Sequence, residues 1–402
     1  MRYSLVVIFS LTNLFVAFSQ DSLKVIKSDS VPQTDLPELL FKKRIERKAA
    51  EKPDTTEDKV YWSVLPAMGS TPATGFAGII LVNAAFYTGD KSTTYMSSVT
   101  ANLTLTAKSQ IILPIRTNIW LKDNKWNFVG DWRFMKYPQA TYGIGGNTPW
   151  EQEELIKYSY FKIQEYGYRN VYSKFFLGLG IHYDQFLKVR TSDYEQPGLG
   201  PFESYPYGTG NRSSAFGYSF AALWDDRKNV INPQQGGYAQ ISYRMNPSYL
   251  GNTYEYNILL IDLRKYFYIP AKKHKNILGF WAYYWGVTNG DTPYLLLPSN
   301  GWDSFASNAR GFTQGRYRSR QMFTMEAEYR FRISKNGLLG GVLFTNASTF
   351  AEPNGEFKYV NPAVGTGLRI KLNKNSQTNI TLDFAIGVKN NRGFYADVGE
   401  IF

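Results

Sequence analysis

The sequence contains no cysteine and only two histidines, His182 and His274, among 402 residues. Without thiols the chain can form neither disulfides nor thiolate metal sites, and two histidines so far apart in the chain do not make a metal site. We therefore expect no metal and no cofactor. No serine nucleophile motif of the Gly-x-Ser-x-Gly type accompanies either histidine. We expect both histidines to be structural or solvated, and the protein not to be an enzyme.

Long apolar runs are also scarce. The main one spans residues 5–18, follows Arg2, and ends at Ala17-Phe18-Ser19, where small residues suit a signal peptidase. This pattern predicts a Sec signal peptide over residues 1–19 and an exported chain. After residue 20 no stretch approaches the roughly 18 apolar residues that a membrane helix needs, which excludes a helical integral membrane protein.

Aromatic residues, by contrast, are abundant, since Phe, Trp and Tyr make up 16% of the chain beside 34 glycines. Aromatic residues at this density, without disulfides, suit a membrane barrel with aromatic girdles at both interfaces. The formal charge of +12 could indicate nucleic acid as a partner. The basic residues alternate with apolar ones instead of forming a stripe, so we expect them to line a lumen or meet anionic head groups.

From residue 60 onward the hydrophobic pattern has a period of two. In residues 377–389, Ile380, Leu382 and Phe384 fall on one face, while Thr381 and Asp383 fall on the other. Residues 322–332 alternate in the same way. An apolar face and a polar face along one strand are typical of a barrel strand that contacts lipid outside and water or polar groups inside.

Alternating runs between turn signals predict sixteen strands. An even number is expected of a bacterial single-chain barrel, in which every backbone group pairs around a closed cylinder. We therefore predict an all-β, sixteen-stranded antiparallel transmembrane barrel over residues 59–402. The predicted strands are 60–68, 75–88, 97–107, 109–121, 125–137, 154–167, 171–189, 213–225, 236–248, 253–268, 276–288, 319–333, 337–350, 362–373, 377–389 and 393–402.

The connections alternate between short and long. Long loops outside and short turns in the periplasm are the usual asymmetry of such barrels, so both termini are predicted to be periplasmic. Residues 20–58 form a short periplasmic tail in which residues 36–52 have the spacing of one amphipathic helix. The tail is too short to form an independent domain with its own core.

Arg310-Gly311-Phe312 lies in the long connection between the eleventh and twelfth predicted strands, the sixth extracellular loop. A long sixth loop with Arg-Gly-aromatic resembles the BamA/TamA-type superfamily of outer-membrane barrels, also called the bacterial surface antigen family. The resemblance implies that the loop folds back into the lumen. It also implies that Arg310 pairs with acidic residues on the strands that follow. The residue before the arginine, usually Val or Ile in that family, is Ala309 here.

Two partners for Arg310 follow from this resemblance. Glu328 is one, inward on the twelfth strand by alternation. The family has a second acid in a Phe-x-Asp motif on the thirteenth strand, and this chain has Phe344-Thr345-Asn346 there. Guanidinium holds a carboxylate through two hydrogen bonds and stays charged, whereas Asn346 carries no charge, so we expect a weaker hold on the loop. The alternative is that Arg310 only props the loop.

Three further stretches resemble the family. Asp225, Arg227, Pro233 and Gly236 match its turn at the end of the eighth strand, and Tyr142 to Asn147 resembles its loop after the fifth strand. The C-terminal residues FYADVGEIF, with Phe394, Gly399 and Phe402, resemble the signal by which the barrel assembly machinery recognises its clients. That machinery is then an expected partner for the chain's own insertion.

Family members that assemble other barrels usually carry periplasmic POTRA domains, and the tail here cannot hold one. The resemblance implies an outer-membrane factor for assembly, insertion or translocation of proteins, with outer-membrane lipid, unfolded protein clients and periplasmic subunits as partners and no nucleic acid. A weak seam between the first and last strands would admit an incoming strand, and Pro66 and Gly69 in the first strand fit this. The alternative is a passive pore or structural barrel without insertase activity.

Overall fold

The structure is a computed structural model. It describes residues 32–39, 60–71, 74–192, 200–270, 275–304 and 306–402. The predicted signal peptide, most of the predicted tail and His274 lie outside these described residues, so the predictions about them stay predictions.

All sixteen predicted strands are present, and the described residues form a single sixteen-stranded antiparallel sheet in chain order. Most boundaries agree within four residues. The sixth strand runs on to Tyr172 where the prediction ended at residue 167, and the last strand ends at Val398 instead of Phe402. The strands are β1 Tyr61–Thr71, β2 Gly75–Phe86, β3 Ser97–Thr106, β4 Ile111–Trp120, β5 Trp126–Thr141, β6 Glu154–Tyr172, β7 Phe175–Ser192, β8 Arg212–Asp225, β9 Gly236–Asn246, β10 Tyr256–Pro270, β11 Lys275–Gly290, β12 Gln321–Arg332, β13 Leu339–Phe350, β14 Val360–Asn373, β15 Thr378–Gly387 and β16 Arg392–Val398.

The sheet curls until its two edge strands lie side by side, which makes the fold a barrel. β1 pairs with β2 along its whole length, from Tyr61 opposite Ala85 to Thr71 opposite Gly75. β15 pairs with β16 over seven positions. β1 and β16 contact each other, but no hydrogen-bonded register joins them within the described strands. The seam is therefore the least extensive strand contact around the barrel.

Burial follows the predicted alternation. On β15, Thr381, Asp383 and Ala385 are buried toward the lumen, while Phe384 and Ile386 are about half exposed on the outer face. An outer face of exposed aliphatic and aromatic side chains is what a lipid environment requires of a barrel. In the described part of the chain, no α-helix has the length and apolar character needed to traverse a bilayer.

Residues 33–39 of the N-terminal tail contact two turns on the predicted periplasmic side. The Thr34 N–H donates to the Asn336 carbonyl in the turn between β12 and β13 at 3.1 Å. Asp35 caps a short helical turn, since its carboxylate accepts the Glu38 backbone N–H at 3.0 Å. The other Asp35 oxygen accepts the Lys374 N–H at 3.0 Å, and Glu38 pairs with the Lys374 ammonium at 2.8 Å. The segment is thus held on the turn between β14 and β15.

Candidate functional site

The connection between β11 and β12, residues 291–320, is the predicted sixth extracellular loop, here called L6. It folds inward, and the side chains of Arg310, Phe312 and Tyr317 are all at most 3% exposed. Asp303 shapes its inner part, since one carboxylate oxygen accepts the backbone N–H groups of Ser307 and Asn308 at 2.8 and 2.9 Å. The predicted placement of this loop in the lumen is therefore confirmed.

Arg310 at the tip of L6 is surrounded by three carboxylates. Its Nη2 donates to Glu326 and Glu328 of β12, and its Nη1 donates to Asp383 of β15. All four side chains are at most 3% exposed. A guanidinium that bridges three buried carboxylates neutralises charges that would otherwise be costly to bury. These four residues are called the Arg310 cluster below.

The structure places Asn346 and Glu328, the two predicted partners, in contact with Arg310. Glu328 is an ion-pair partner, whereas Asn346 donates from its amide Nδ2 to the Arg310 backbone oxygen at 2.8 Å. Phe344, two residues earlier on β13, lies face-on beneath the guanidinium, 3.6 Å from ring centroid to Cζ. Asn346 therefore holds the backbone of the loop tip. The carboxylate that the family has at this position is absent, and Asp383 of β15 pairs with Arg310 instead.

Asp383 supplies a carboxylate that was not expected beside Arg310, and the weaker hold on the loop stays a prediction. Sequence alternation put Asp383 on the inner face of β15, but nothing in the sequence linked it to L6. Gly367 of β14 lies opposite Asp383, and a Cβ built on Gly367 would fall only 1.8 Å from its Oδ1. Glu326 was also not predicted as a partner of Arg310, although it lies two residues before Glu328 on the same inward face of β12.

Gly311 brings L6 into direct contact with the barrel wall. Its φ is +103°, and a Cβ there would lie 2.7 Å from the Ala363 Cβ, so only glycine fits without strain. The Gly311 N–H donates to the Tyr395 hydroxyl of β16 at 2.9 Å. Phe312 packs on Gly387 at the end of β15 and on the Tyr317 ring. The predicted motif thus touches the strands that lead to the seam.

The ion pairs continue from the Arg310 cluster to the C-terminal segment. Arg330 donates to Glu328 at 2.7 Å, and Arg369 donates to Asp383 at 2.5 Å. Arg369 also pairs with Glu400 at 2.8 Å. Burial raises the pKa of Glu400, but Arg369 and Arg330 lower it more, so the net pKa lies below the usual value. One continuous network therefore connects L6, β12, β14, β15 and the segment after β16.

The predicted turn motif between β8 and β9 lies beneath this network. Asp225 accepts two hydrogen bonds from the Arg227 guanidinium, at 2.9 and 2.8 Å. Gly236 has φ +99°, and a Cβ there would fall 2.4 Å from the Asp226 carbonyl oxygen. The Pro233 carbonyl accepts a hydrogen bond from Arg330 at 3.3 Å, so the turn adjoins the ion-pair network.

The C-terminal segment leaves the barrel wall, contrary to the prediction of a strand that runs to the last residue. Gly399, with φ +105°, turns the chain inward, and the Glu400 N–H donates to the Ile231 carbonyl at 3.2 Å. The Phe402 ring is 2% exposed and stacks 5.4 Å from Trp281. Phe394 stays on the outer face. The role of these residues as an assembly signal stays a prediction.

On the predicted extracellular side, the loop after β5 holds the outgoing limb of L6. The Gly145 N–H donates to the Arg318 carbonyl at 2.8 Å. The Arg316 guanidinium lies against the rings of Tyr142 and Trp150, with its Cζ 4.4 Å from each ring centroid, and donates to the Thr148 carbonyl at 2.5 Å. Burial lowers the pKa of the Arg316 guanidinium. The resemblance of residues 142–147 to the family loop thus coincides with a contact to L6.

The outer half of the lumen is filled by packed side chains. Residues 294–297 of L6 and Phe202 from the connection between β7 and β8 are buried against inward residues of β5, β6 and β7. The Tyr294 hydroxyl and Thr141 Oγ1 are 2.6 Å apart, and the Arg318 guanidinium donates to the Tyr294 carbonyl at 2.9 Å. This group, called the outer plug below, packs against the inner wall of the barrel at the extracellular ends of these strands.

His182 faces the lumen on β7, as its alternation with Gly180 and Asp184 predicts. Its Nε2 and the Ser219 Oγ are 2.8 Å apart, and both side chains are at most 2% exposed. Among the described residues no three His, Asp or Glu side chains are arranged to hold a metal ion.

Comparison with known proteins agrees with this geometry. The sequence matches the family model of the Omp85 superfamily domain over residues 89–402. Among solved structures, the chain is similar to BamA from Haemophilus ducreyi lacking POTRA domains 1–3, with a TM-score of 0.50 and 14% identity, over 90% of this chain and 77% of that one. It is also similar to CdiB from Acinetobacter baumannii, with a TM-score of 0.54 and 9% identity, over 85% of this chain and 65% of that one. A search of curated proteins finds no match.

Proposed function

The chain belongs to the Omp85 superfamily of outer-membrane insertion and translocation proteins, and from that premise we propose that its barrel helps to insert or translocate other proteins at the outer membrane. The proposed clients are unfolded outer-membrane or surface proteins. The activity is not enzymatic, since it consists of strand pairing and exchange. Periplasmic subunits would deliver the clients.

The observation that carries the proposal is the contrast between a firmly held loop and a short seam. L6 is fixed to β12, β15 and β16 by the Arg310 cluster and by the Gly311–Tyr395 hydrogen bond. β16 offers only seven residues beside β1, and Pro66 within β1 has no N–H to donate. An incoming strand can therefore pair with the edge of β1 or β16 while L6 keeps the last strands in place.

The outer plug supports this proposal over a passive pore. A diffusion pore needs a continuous aqueous path, whereas the outer half of this lumen contains buried Tyr, Leu and Phe side chains. A client that enters laterally through the seam does not need that path.

The experiment that tests the proposal is client insertion into lipid vesicles. The full chain is reconstituted, an unfolded model barrel protein is added, and folding of the client is followed by its altered mobility on unheated gels. We expect faster insertion than into empty vesicles and into vesicles with an unrelated barrel of similar size. Equal rates in all three, with the protein shown to be folded, would remove autonomous insertase activity from the proposal.

A further inference from the structure

Five basic side chains lie together on the lipid-facing side of β5 to β8. Each is exposed, and within the described part of the chain none of them forms an ion pair. Lys157 of β6 lies directly opposite Arg190 of β7. Leu187 of β7, next to Lys188, lies opposite Arg212 of β8. With strands about 4.8 Å apart, the group spans three strand spacings, or roughly 15 Å. These residues, called the outer basic cluster, are Lys136, Lys157, Lys188, Arg190 and Arg212.

A β-bulge in β7 creates this cluster. Lys157 pairs with Arg190 and Ser159 pairs with Leu187. Two residues therefore separate these pairs on β7 (Lys188 and Val189), but only one separates them on β6. The extra residue is Lys188, with φ +55°, a left-handed conformation that is unusual for lysine. Strict alternation from the buried Asp184 and Phe186 would have placed Lys188 and Arg190 in the lumen. The bulge instead exposes Lys188, buries Val189 and turns Arg190 outward, which is how a bulge re-aims side chains.

An aromatic row lies just below the cluster on the same strands. The rings of Phe134 and Phe161 are 5.1 Å apart, those of Phe161 and Tyr183 are 5.9 Å apart, and those of Tyr183 and Phe216 are 6.4 Å apart. Such a row marks the membrane interface of a barrel. Lys157 lies four residues from Phe161 on β6, and Arg212 lies four residues from Phe216 on β8. Both basic residues are thus about 13 Å nearer the extracellular end than the aromatic row.

The five residues of the cluster lie on four neighbouring strands, and two of them face each other directly. Across the barrel, Phe323, Thr349, Val360 and Ile386 are uncharged outward residues near the extracellular ends of β12 to β15. The exposed basic residues on that side are Lys358, Lys389 and Arg392. Five basic residues grouped at the depth of the lipid head groups match a single negatively charged partner.

We propose that the outer basic cluster binds the phosphorylated head group of a lipid in the outer leaflet. Lysine and arginine at this depth can donate several charge-assisted hydrogen bonds to phosphate oxygens, and the span of roughly 15 Å fits a head group with two phosphates. The bound lipid would orient the barrel on the β5–β8 side, across the cylinder from the edge strands. The inference does not depend on insertase activity.

The test measures lipid binding by native mass spectrometry of the full chain in a non-ionic detergent. The probe is diphosphorylated lipid A, compared with the same lipid after removal of its phosphates. The variant carries Lys188→Gln, Arg190→Gln and Arg212→Gln. A matched control carries Lys358→Gln, Lys389→Gln and Arg392→Gln, which removes the same charge at the same end of the barrel on the opposite side. Heat-dependent gel mobility checks that both are folded.

We expect the wild type and the control to bind the phosphorylated lipid at least ten-fold more tightly than the cluster variant, and the dephosphorylated lipid to bind all three weakly. Equal binding by the cluster variant would overturn the proposal, as would an equal loss in the control, which would indicate only net charge. Competition by inorganic phosphate at the concentration of the lipid would assign the site to free phosphate and also overturn it. The single variant Lys157→Glu should weaken binding as well.

Discussion

Arg310 at the tip of L6 forms an ion pair with Asp383 of β15, although 73 positions separate them in the chain. The same guanidinium holds Glu326 and Glu328 of β12. The buried Arg310 guanidinium therefore links L6 to β12 and to β15. Its removal takes one ion-pair partner from each of three buried carboxylates.

Replacement of Arg310 by alanine should destabilise the barrel strongly. Breaking a buried ion pair by removing one partner costs about 3–5 kcal/mol. Here Glu326 loses its Arg310 partner, while Glu328 and Asp383 keep Arg330 and Arg369. The measurement is the temperature at which the folded band disappears on a gel. Arg392→Ala, which removes an exposed arginine of β16, should leave that temperature unchanged. An unchanged temperature for Arg310→Ala would mean that the cluster does not hold the loop.

Restoring the family acid on β13 should not strengthen the hold on L6. Asn346→Asp removes the Nδ2 donor to the Arg310 carbonyl and adds a negative charge beside three carboxylates. Loss of one such buried bond costs about 1–3 kcal/mol. The folded band should therefore disappear at a lower temperature than in wild type, and Asp383→Asn should lower it further. A more stable Asn346→Asp protein would show that Asp383 has not taken over the role of the family acid.

Gly311 should tolerate no side chain. Gly311→Ala forces a φ of +103° on a residue with a Cβ, which would lie 2.7 Å from the Ala363 Cβ. We expect a loss of stability of about 1–3 kcal/mol, together with faster protease cleavage of L6. Gly78→Ala is the control, because a Cβ there meets nothing within 4 Å. Equal behaviour of the two variants would contradict the close approach of loop and wall.

The wild-type barrel should conduct ions poorly in planar bilayers, because the outer plug packs inside the extracellular end of its lumen. Replacing residues 294–297 by Gly-Ser-Gly-Ser should open a steady current. The same replacement at residues 354–357, which are exposed in the loop between β13 and β14, should not. Steady conductance in the wild type would instead support the passive pore.

The strands were predictable because alternation has a direct physical cause in the two faces of a barrel wall. The same alternation placed Glu328 and His182 inside. Asp383 as a partner of Arg310 was not predictable, because it depends on the path of L6 through the lumen. The bulge at Lys188 and the turn at Gly399 were missed for a related reason, since each is a local break in a pattern that continues on both sides.

The most direct test of the account uses the absence of native cysteine. Pairs of cysteines, one on β1 and one on β16, are introduced until one forms a disulfide across the seam, and client insertion is measured with and without reductant. The account predicts slow insertion while the seam is covalently closed and recovery of the wild-type rate on reduction. A rate that the closed disulfide leaves unchanged would contradict strand entry at the seam.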